Sequence, residues 1–412
     1  MPKTTDFPYG AAQPDVVELD IGEPAHGGWC VARIPGAGKV VFVRHALPGE
    51  RVLARVTSDT AKFARADVVE VLTPSPDRVA PPCPYAHPGG CGGCDLQHAS
   101  PAAQRAIKAR VVSQQLHRMA GIDREVTVEA LPSEAEPGEP GNLGWRTRVS
   151  FAVGRDGVAG LRQHRSREIV PVDDCLIAHR LVREAGVPGQ RWPGAKSVDV
   201  TVSPASGERS VTVSGRAPRA GERARPWLTQ HAAGRDWRVS TGVFWQVHPA
   251  AADVLTDAVL TSLAAKPGDN VLDLYCGAGL FAGALAEAVG PEGRVTAVES
   301  EAAAVRDARK NLSEFPQVRV HRGDAAEVLA QRGTGQATLA VLDPPRAGAS
   351  RVLIEMLAGL DRIAYVSCDP ATLARDIAVF AGLRWRLEDL RAFDAFPMTH
   401  HVECLATLAR PV

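Results

Sequence analysis

Val271-Leu272-Asp273-Leu274-Tyr275-Cys276-Gly277-Ala278-Gly279 is the stretch that decides the fold. A short apolar run ends in two closely spaced glycines, and helical sequence follows. That is the pattern of a strand, a tight loop and a helix. Glycine lets the backbone turn sharply and lets a ligand approach at the carboxyl end of the strand. On its own the pair would serve a nicotinamide cofactor, or only a turn. Around it, further apolar runs at Arg294 to Glu299, Val318 to His321, Leu339 to Leu342 and Ile363 to Ser367 are each followed by helical sequence. Pro249 to Ala265 reads as a helix leading into the first run. Strands alternating with helices predict an α/β, Rossmann-like sheet that is doubly wound and mostly parallel.

The whole chain has 412 residues, about right for two or three domains. It is 45% hydrophobic and 23% charged, as in a soluble globular protein. No run of 18 apolar residues occurs, which argues against a membrane helix. Met1 to Gly10 lacks a basic region followed by an apolar one, so no signal peptide is expected and the default location is the cytoplasm. The eight cysteines are then metal ligands, catalytic groups or core residues rather than disulfides. The formal net charge is zero, which alone argues against a nucleic-acid partner. Its distribution argues the other way. Residues 141–240 hold 17 arginines and lysines against 9 acidic residues, and nearly all of the cations are arginine. The planar arginine fork suits phosphate. A solvated Arg-rich surface is the plainer reading of the same run.

Val16 to Leu72 carries short Val-rich runs, at Lys39 to Arg44, Arg51 to Val56 and Asp67 to Leu72, separated by turn residues. They predict a small OB-like β-barrel. A proline-rich linker, Pro74 to Pro84, leads to a cysteine cluster. Pro101 to Ala120 has helical spacing, and Pro132 to Gly144 reads as an exposed loop. Trp145 to Val153 and Val158 to Gln163 form a hairpin pattern around Gly154-Arg155-Asp156-Gly157, and a less regular, β-leaning region runs to Val239. The expected division is a barrel over 14–73, a central α+β domain over 74–239 and a catalytic domain over 240–412. The helix at 101–120 is placed against the catalytic domain. No internal repeat is present.

Two carboxylates narrow the cofactor. Glu299 ends the second strand, where an acid can accept hydrogen bonds from ribose hydroxyls. Asp324 follows the third strand, where a carboxylate can receive an exocyclic amine. Glycine loop, strand-two acid and strand-three acid together resemble class I S-adenosylmethionine-dependent methyltransferases. Gly283 also stands one residue later than the nicotinamide fingerprint asks.

Asp343-Pro344-Pro345-Arg346 follows the fourth strand and resembles a methyltransferase motif that grips a planar base. Alone it fits methylation of an amino group as well. Ser367-Cys368-Asp369-Pro370, after the next strand, discriminates. Carbon 5 of uracil is a poor nucleophile. A thiolate adding to carbon 6 makes it a good one, and a base must then remove the carbon-5 proton so that the thiolate can leave. Glu403, in Thr399-His400-His401-Val402-Glu403, is the candidate base. Taken singly, a strand-end cysteine is more often a small buried hydrophobe, and Cys30, Cys276 and Cys404 read that way. His400 and His401 are adjacent on an expected strand and point to opposite faces, so they suggest no shared metal.

Asp-Pro-Pro-Arg, Ser-Cys-Asp-Pro-Ala-Thr-Leu-Ala-Arg-Asp and His-His-Val-Glu, in this order, resemble the RNA 5-methyluridine methyltransferase family. The resemblance implies Cys368 as nucleophile, Glu403 as proton-removing base and Asp343 at the uracil edge. It implies an S-adenosylmethionine site at Gln246, Asp273, Tyr275, Gly277, Gly279, Leu280, Glu299, Asp324 and Asp343. Gln246 lies in Phe244-Trp245-Gln246-Val247-His248, where the family usually has asparagine at 248 and often phenylalanine at 245. The barrel resembles a TRAM domain. Cys83, Cys91 and Cys94, with Cys175 as a fourth, have a spacing open to zinc or to iron–sulfur. The family resemblance implies a [4Fe-4S] cluster on them, although seven residues rather than the usual five separate the first two. It also implies an RNA substrate, ribosomal more than transfer RNA, since tRNA-directed relatives usually lack barrel and cluster. Nothing points to a membrane or a protein partner. The competing readings are a tRNA uridine methyltransferase, an amino-group methyltransferase and a non-catalytic RNA-binding protein with a relict cofactor site.

Overall fold

The computed structural model describes residues 16–132, 142–217 and 224–411. Most of the loop expected over 132–144, and the segment 1–10, lie outside them. The chain divides into two compact units. One comprises 1–107, 162–168 and 398–400, and the other comprises 108–161, 169–397 and 401–412.

The first unit holds a six-stranded sheet of β1 (Val16–Asp20), β2 (Pro24–Ala25), β3 (Trp29–Arg33), β4 (Val40–Arg44), β5 (Arg51–Asp59) and β6 (Phe63–Thr73), in the order β1-β5-β6-β4-β3-β2. Alternate residues turn inward, as strand geometry requires. Val41, Val43, Val52, Ala54, Ala64 and Ala66 are all fully buried. Arg44 is also buried, and pairs with Asp95 at 3.3 Å. Asp95 takes a second bond from the His400 ring at 2.5 Å. A buried charge persists only when paired in this way.

Helix α1 (Pro101–Gln115) runs on through a π-helical turn, Leu116–Ala120, and stops at Gly121 in the left-handed conformation. From residue 108 onward this segment belongs to the second unit, where Val112 and Leu116 share a core cluster with Ile377 and Phe380.

The first strand of the second unit is β7 (Val128–Ala130). A five-stranded sheet follows from β8 (Arg148–Val153), β9 (Ala159–Arg162), β10 (Ile169–Pro171), β11 (Ser197–Ser203) and β12 (Glu208–Ser214), with the short helix α2 (Arg180–Arg183) between β10 and β11. The stretch expected to be irregular is therefore regular. Ser197-Val198-Asp199-Val200-Thr201-Val202-Ser203 alternates strictly, and its three valines are fully buried. A separate hairpin, β13 (Trp227–Ala232) with β14 (Arg235–Ser240), packs against the helix Ala302–Asn311. The Ser240 N–H and hydroxyl both donate to Asp307, and the Arg238 N–H donates to Asn311.

The rest alternates: α3 (Ala251–Leu263), β15 (Asn270–Leu274), α4 (Leu280–Val289), β16 (Arg294–Glu299), α5 (Ala302–Asn311), β17 (Val318–Arg322), α6 (Ala325–Arg332), β18 (Leu339–Leu342), α7 (Arg351–Met356), β19 (Arg362–Ser367), α8 (Pro370–Gly382), β20 (Arg386–Asp394) and β21 (Glu403–Ala409). These strands and β7 form one eight-stranded sheet in the order β17-β16-β15-β18-β19-β21-β20-β7. The first five are parallel, and β21 lies antiparallel between β19 and β20. All four residues of β18 and all seven of β21 are buried, as expected for strands covered on both faces. This is the Rossmann-like sheet read from the sequence. Strand order reverses between β15 and β18, and ligands bind at the carboxyl ends beside such a switch point. Among the described residues no helix is long and apolar enough to cross a membrane.

Candidate active site

Asp273, near the carboxyl end of β15, is fully buried, and neither carboxylate oxygen has a partner at full hydrogen-bonding geometry. Burial pushes its acid up to about 8, opposed in part by the Ala282 amide. The loop after it is left-handed at Tyr275 (φ 69°), Gly277 (φ 55°) and Gly279 (φ 98°). The glycines differ in purpose. A Cβ on Gly279 would lie 2.8 Å from Leu312 Cδ1, whereas one on Gly277 would meet nothing within 4 Å. Gly279 is therefore needed for packing as well as for its turn, and Gly277 faces open space. Gly283, one place off the nicotinamide pattern, lets α4 pack on Trp237. A Cβ there would lie 2.5 Å from the indole.

Glu299 ends β16, and its Oε2 accepts the Gly277 N–H at 3.0 Å. The strand-two acid thus braces the glycine loop. Asp324 caps α6 through Oδ1, which accepts from Ala326 (2.9 Å) and Glu327 (3.2 Å). Leu280 opens α4, and Gln246 is buried just before α3.

Asp273 carries a testable consequence. Its folded-state acid is raised from 3.8 to about 8, so the protein without ligand should lose stability as pH rises from about 4 to about 8. Asp273→Asn removes that share, up to a few kcal/mol, and should flatten the dependence of Tm on pH. Parallel curves for the two proteins would refute the assignment.

The second group forms where three strands end together. Asp343 follows β18 and Cys368 follows β19. β21 runs antiparallel, and Ser367 pairs with Cys404. The next positions on either side are Cys368 and Glu403, so the register brings thiol and carboxyl to the same sheet end. Glu403 is only 3% exposed. Burial first, then the nearby Asp343 carboxylate, raises the Glu403 acid well above its usual range, against a pull from Arg346. Asp343 keeps some solvent contact, yet desolvation pushes its acid up to about 7. The Cys368 thiol rises to about 11, through burial and then the charge on Glu403, again opposed by Arg346. Arg346 was only a letter of the Asp-Pro-Pro-Arg motif in the sequence. In the structure it is a cation acting on both groups, and its guanidinium lies 3.2 Å from the His401 ring.

A model of tRNA (uracil-5-)-methyltransferases matches residues 235–411, and a TRAM domain model matches residues 14–69. An RNA methyltransferase of Streptomyces coelicolor is 48% identical over 95% of this chain and 92% of its own length. A 23S rRNA (uracil(1939)-C(5))-methyltransferase of Acidithiobacillus ferrooxidans is 33% identical, over 98% and 99%. The chain belongs to the RNA uracil-5-methyltransferase family. Enzymes of this family depend on S-adenosylmethionine. The fold agrees. The crystal structure of Pyrococcus abyssi tRNA (uracil-54, C5)-methyltransferase in complex with S-adenosyl-L-homocysteine superposes with a TM-score of 0.72, at 22% identity, over 94% of this chain and 99% of that one.

Two departures from the usual pattern of these methyltransferases have a structural explanation. His248, in place of asparagine, accepts the Ala250 N–H on Nδ1 at 3.3 Å and stacks on Trp145. Asparagine commonly makes this local bond. Burial lowers the His248 pKa to about 4, so the ring is neutral and able to accept. Trp245 packs against Trp237.

The expected cysteine ligand set finds no support in the structure. Among the described residues no group of three or more His, Cys, Asp or Glu side chains is placed to hold a metal ion. Cys83, Cys91 and Cys94 lie in the first unit and Cys175 in the second. Cys91 is drawn into a bridge with Gln163, and its sulfur accepts the Gly93 N–H at 3.4 Å. The expected histidine strand is also absent. His400 and His401 precede β21 in irregular backbone.

Proposed function

We propose that this chain methylates carbon 5 of a uridine in ribosomal RNA, with Cys368 as nucleophile and Glu403 as the base that takes the carbon-5 proton. The observation that carries the reading is the β19–β21 register, which sets Cys368 and Glu403 side by side next to Asp343. The similarity to the 23S rRNA enzyme over the full length favours ribosomal RNA. The TRAM match and the basic block 141–240 supply RNA-facing surface. We place the work in the cytoplasm and retain the three-part division at residues 73 and 239.

S-Adenosylmethionine fits at the end of β15, where the Asp273 oxygens have no partner at full hydrogen-bonding geometry beyond the nearby Ala282 amide and Gly277 leaves room; the bound cofactor supplies an electrophilic methyl group. Gln246, Tyr275, Gly279, Leu280, Glu299 and Asp324 complete its surroundings. The Cys368 sulfur bonds to carbon 6 of the uracil, and electron density moves to carbon 5, which takes the methyl group. Glu403 removes the carbon-5 proton, the carbon 6–sulfur bond breaks, and the thiolate leaves. Asp343 holds the base edge.

The test is incubation with methyl-labelled S-adenosylmethionine and either ribosomal RNA or tRNA, followed by nucleoside analysis. 5-Methyluridine in ribosomal RNA is the expected product. Label confined to tRNA would refute the choice of RNA, and label only on amino groups would refute the choice of atom. The thiol pKa of about 11 adds a pH signature. Only its deprotonated form attacks, so adduct formation with 5-fluorouridine RNA should speed up about tenfold per pH unit from 6 to 9. A flat profile would show that thiol ionisation does not limit the attack.

A further inference from the structure

The loop after β18 is held on the first turns of α8 by a buried network that the chemistry above does not use. Tyr365 is fully buried and Asp376 is 1% exposed. The Tyr365 hydroxyl donates to Asp376 Oδ2 at 2.6 Å. The Ala349 N–H is shared between that Oδ2 and the Tyr365 oxygen, at 2.9 Å to each. Asp376 Oδ1 accepts from Arg375 Nε at 2.8 Å, and the same guanidinium donates to the Ala347 carbonyl at 2.8 Å. The Thr372 hydroxyl donates to the Arg346 carbonyl at 3.0 Å. Gly348 completes the fit in the left-handed conformation (φ 80°). A Cβ there would lie 2.3 Å from Thr372 Cγ2 and 2.4 Å from Asp376 Oδ2.

Sheet pairing alone leaves this loop's position open. Asp343 and Arg346 come from the β18 loop, while Cys368 comes from β19 and Glu403 from β21. Backbone hydrogen bonds hold the strands in register but stop where the strands end. A network centred on the buried Tyr365 and Asp376 supplies one defined arrangement beyond that point. Residues 346, 347 and 349 are each tied to α8 or to Tyr365, and α8 begins two residues after Cys368.

We propose that Asp376 is a positioning residue for methyl transfer: it seats the 345–349 loop on α8 and so keeps the Arg346 guanidinium beside Cys368 and Glu403. This rests on the reading of Cys368 as nucleophile. The charged groups facing that thiol are Glu403 from β21, Asp343 and Arg346 from the β18 loop, and Asp369 at the start of α8. Three are carboxylates that disfavour a thiolate, and Arg346 is the cation that favours it. Unseating the loop removes the favourable partner.

The experiment follows alkylation of Cys368 by iodoacetamide against pH in the full-length protein. Trypsin releases residues 363–375, which contain no other cysteine, so the peptide reports this thiol alone. In Asp376→Ala the alkylation profile should move to higher pH, with the rate at pH 8 down roughly threefold or more. kcat should fall about tenfold to a hundredfold, while KM for RNA and affinity for S-adenosylhomocysteine stay near wild type. Asp376→Asn keeps one acceptor oxygen for Tyr365 and Ala349, losing only the bond from Arg375, and should recover most of the rate. Gly348→Ala leaves Asp376 intact but displaces the loop, and should reproduce the alkylation shift even if Asp376→Ala does not fold. An unchanged alkylation profile in Gly348→Ala and in any folded Asp376→Ala protein would overturn the proposal. So would losses in S-adenosylhomocysteine affinity and Tm as large as the loss in kcat, because Asp376 would then only support the fold. If the alkylation shift occurs but wild-type protein methylates no uridine, the clamp stands and the uridine reading fails.

Discussion

Cys368→Ala should stop methyl transfer, with a fall in turnover of about 10⁴-fold or more, while S-adenosylhomocysteine binds as tightly as to wild type. The two outcomes separate because the site has two parts. In the proposed reading the cofactor lies at the ends of β15, β16 and β17, around Asp273, Gly277 and Glu299. Cys368 stands two strands from β15, after β19. The helix behind the thiol does not depend on it either. Asp369 caps α8 with its own Oδ1, accepting from Ala371 at 3.0 Å and Thr372 at 2.9 Å. Truncation to alanine removes one sulfur atom from a partly exposed position and disturbs little else. Calorimetry with S-adenosylhomocysteine and a labelled-methyl assay check the two halves. Substantial activity in the variant would exclude a covalent mechanism through this residue.

Glu403→Gln should behave differently, accumulating a covalent enzyme–RNA adduct that survives a denaturing gel. The sign follows from charge. Burial and Asp343 already penalise a carboxylate at this position, and that carboxylate in turn opposes ionisation of Cys368. Replacing it with a neutral amide of the same shape removes both effects. Thiol attack should proceed at least as readily, and the variant should be no less stable. Release of the product needs a group that accepts the carbon-5 proton, and an amide cannot do this. Turnover should fall about 10²- to 10⁴-fold while the adduct persists. Normal turnover without a retained band would assign proton removal to another group.

The order of strands and helices in the catalytic third was legible in the sequence because parallel strands are buried on both faces and read as unbroken apolar runs. Leu339 to Leu342 is the cleanest instance. The valine alternation at 197–203 is equally present, but it lies within a polar, arginine-rich block that otherwise reads only as β-leaning. The glycines illustrate a different limit. Their number and spacing suggested a cofactor loop, yet sequence cannot separate Gly277, which faces open space, from Gly279 and Gly283, whose missing Cβ atoms make room for Leu312 and Trp237. The cysteine spacing likewise suggested a ligand set without choosing between zinc and iron–sulfur.

By itself, the sequence determined on which strand ends the candidate residues fall, because strand periodicity and the Cys-Asp-Pro and Asp-Pro-Pro-Arg motifs are local. Only the tertiary structure decided which of them meet. Cys368 and Glu403 are 35 positions apart, and they become neighbours because the last strand inserts antiparallel between β19 and β20 and reverses its direction at the active end of the sheet. Arg346 acquires its place through a loop pinned by Asp376 and Tyr365, and Asp273 acquires its raised acidity from complete burial. These effects depend on distance and solvent exclusion, which a linear pattern does not encode.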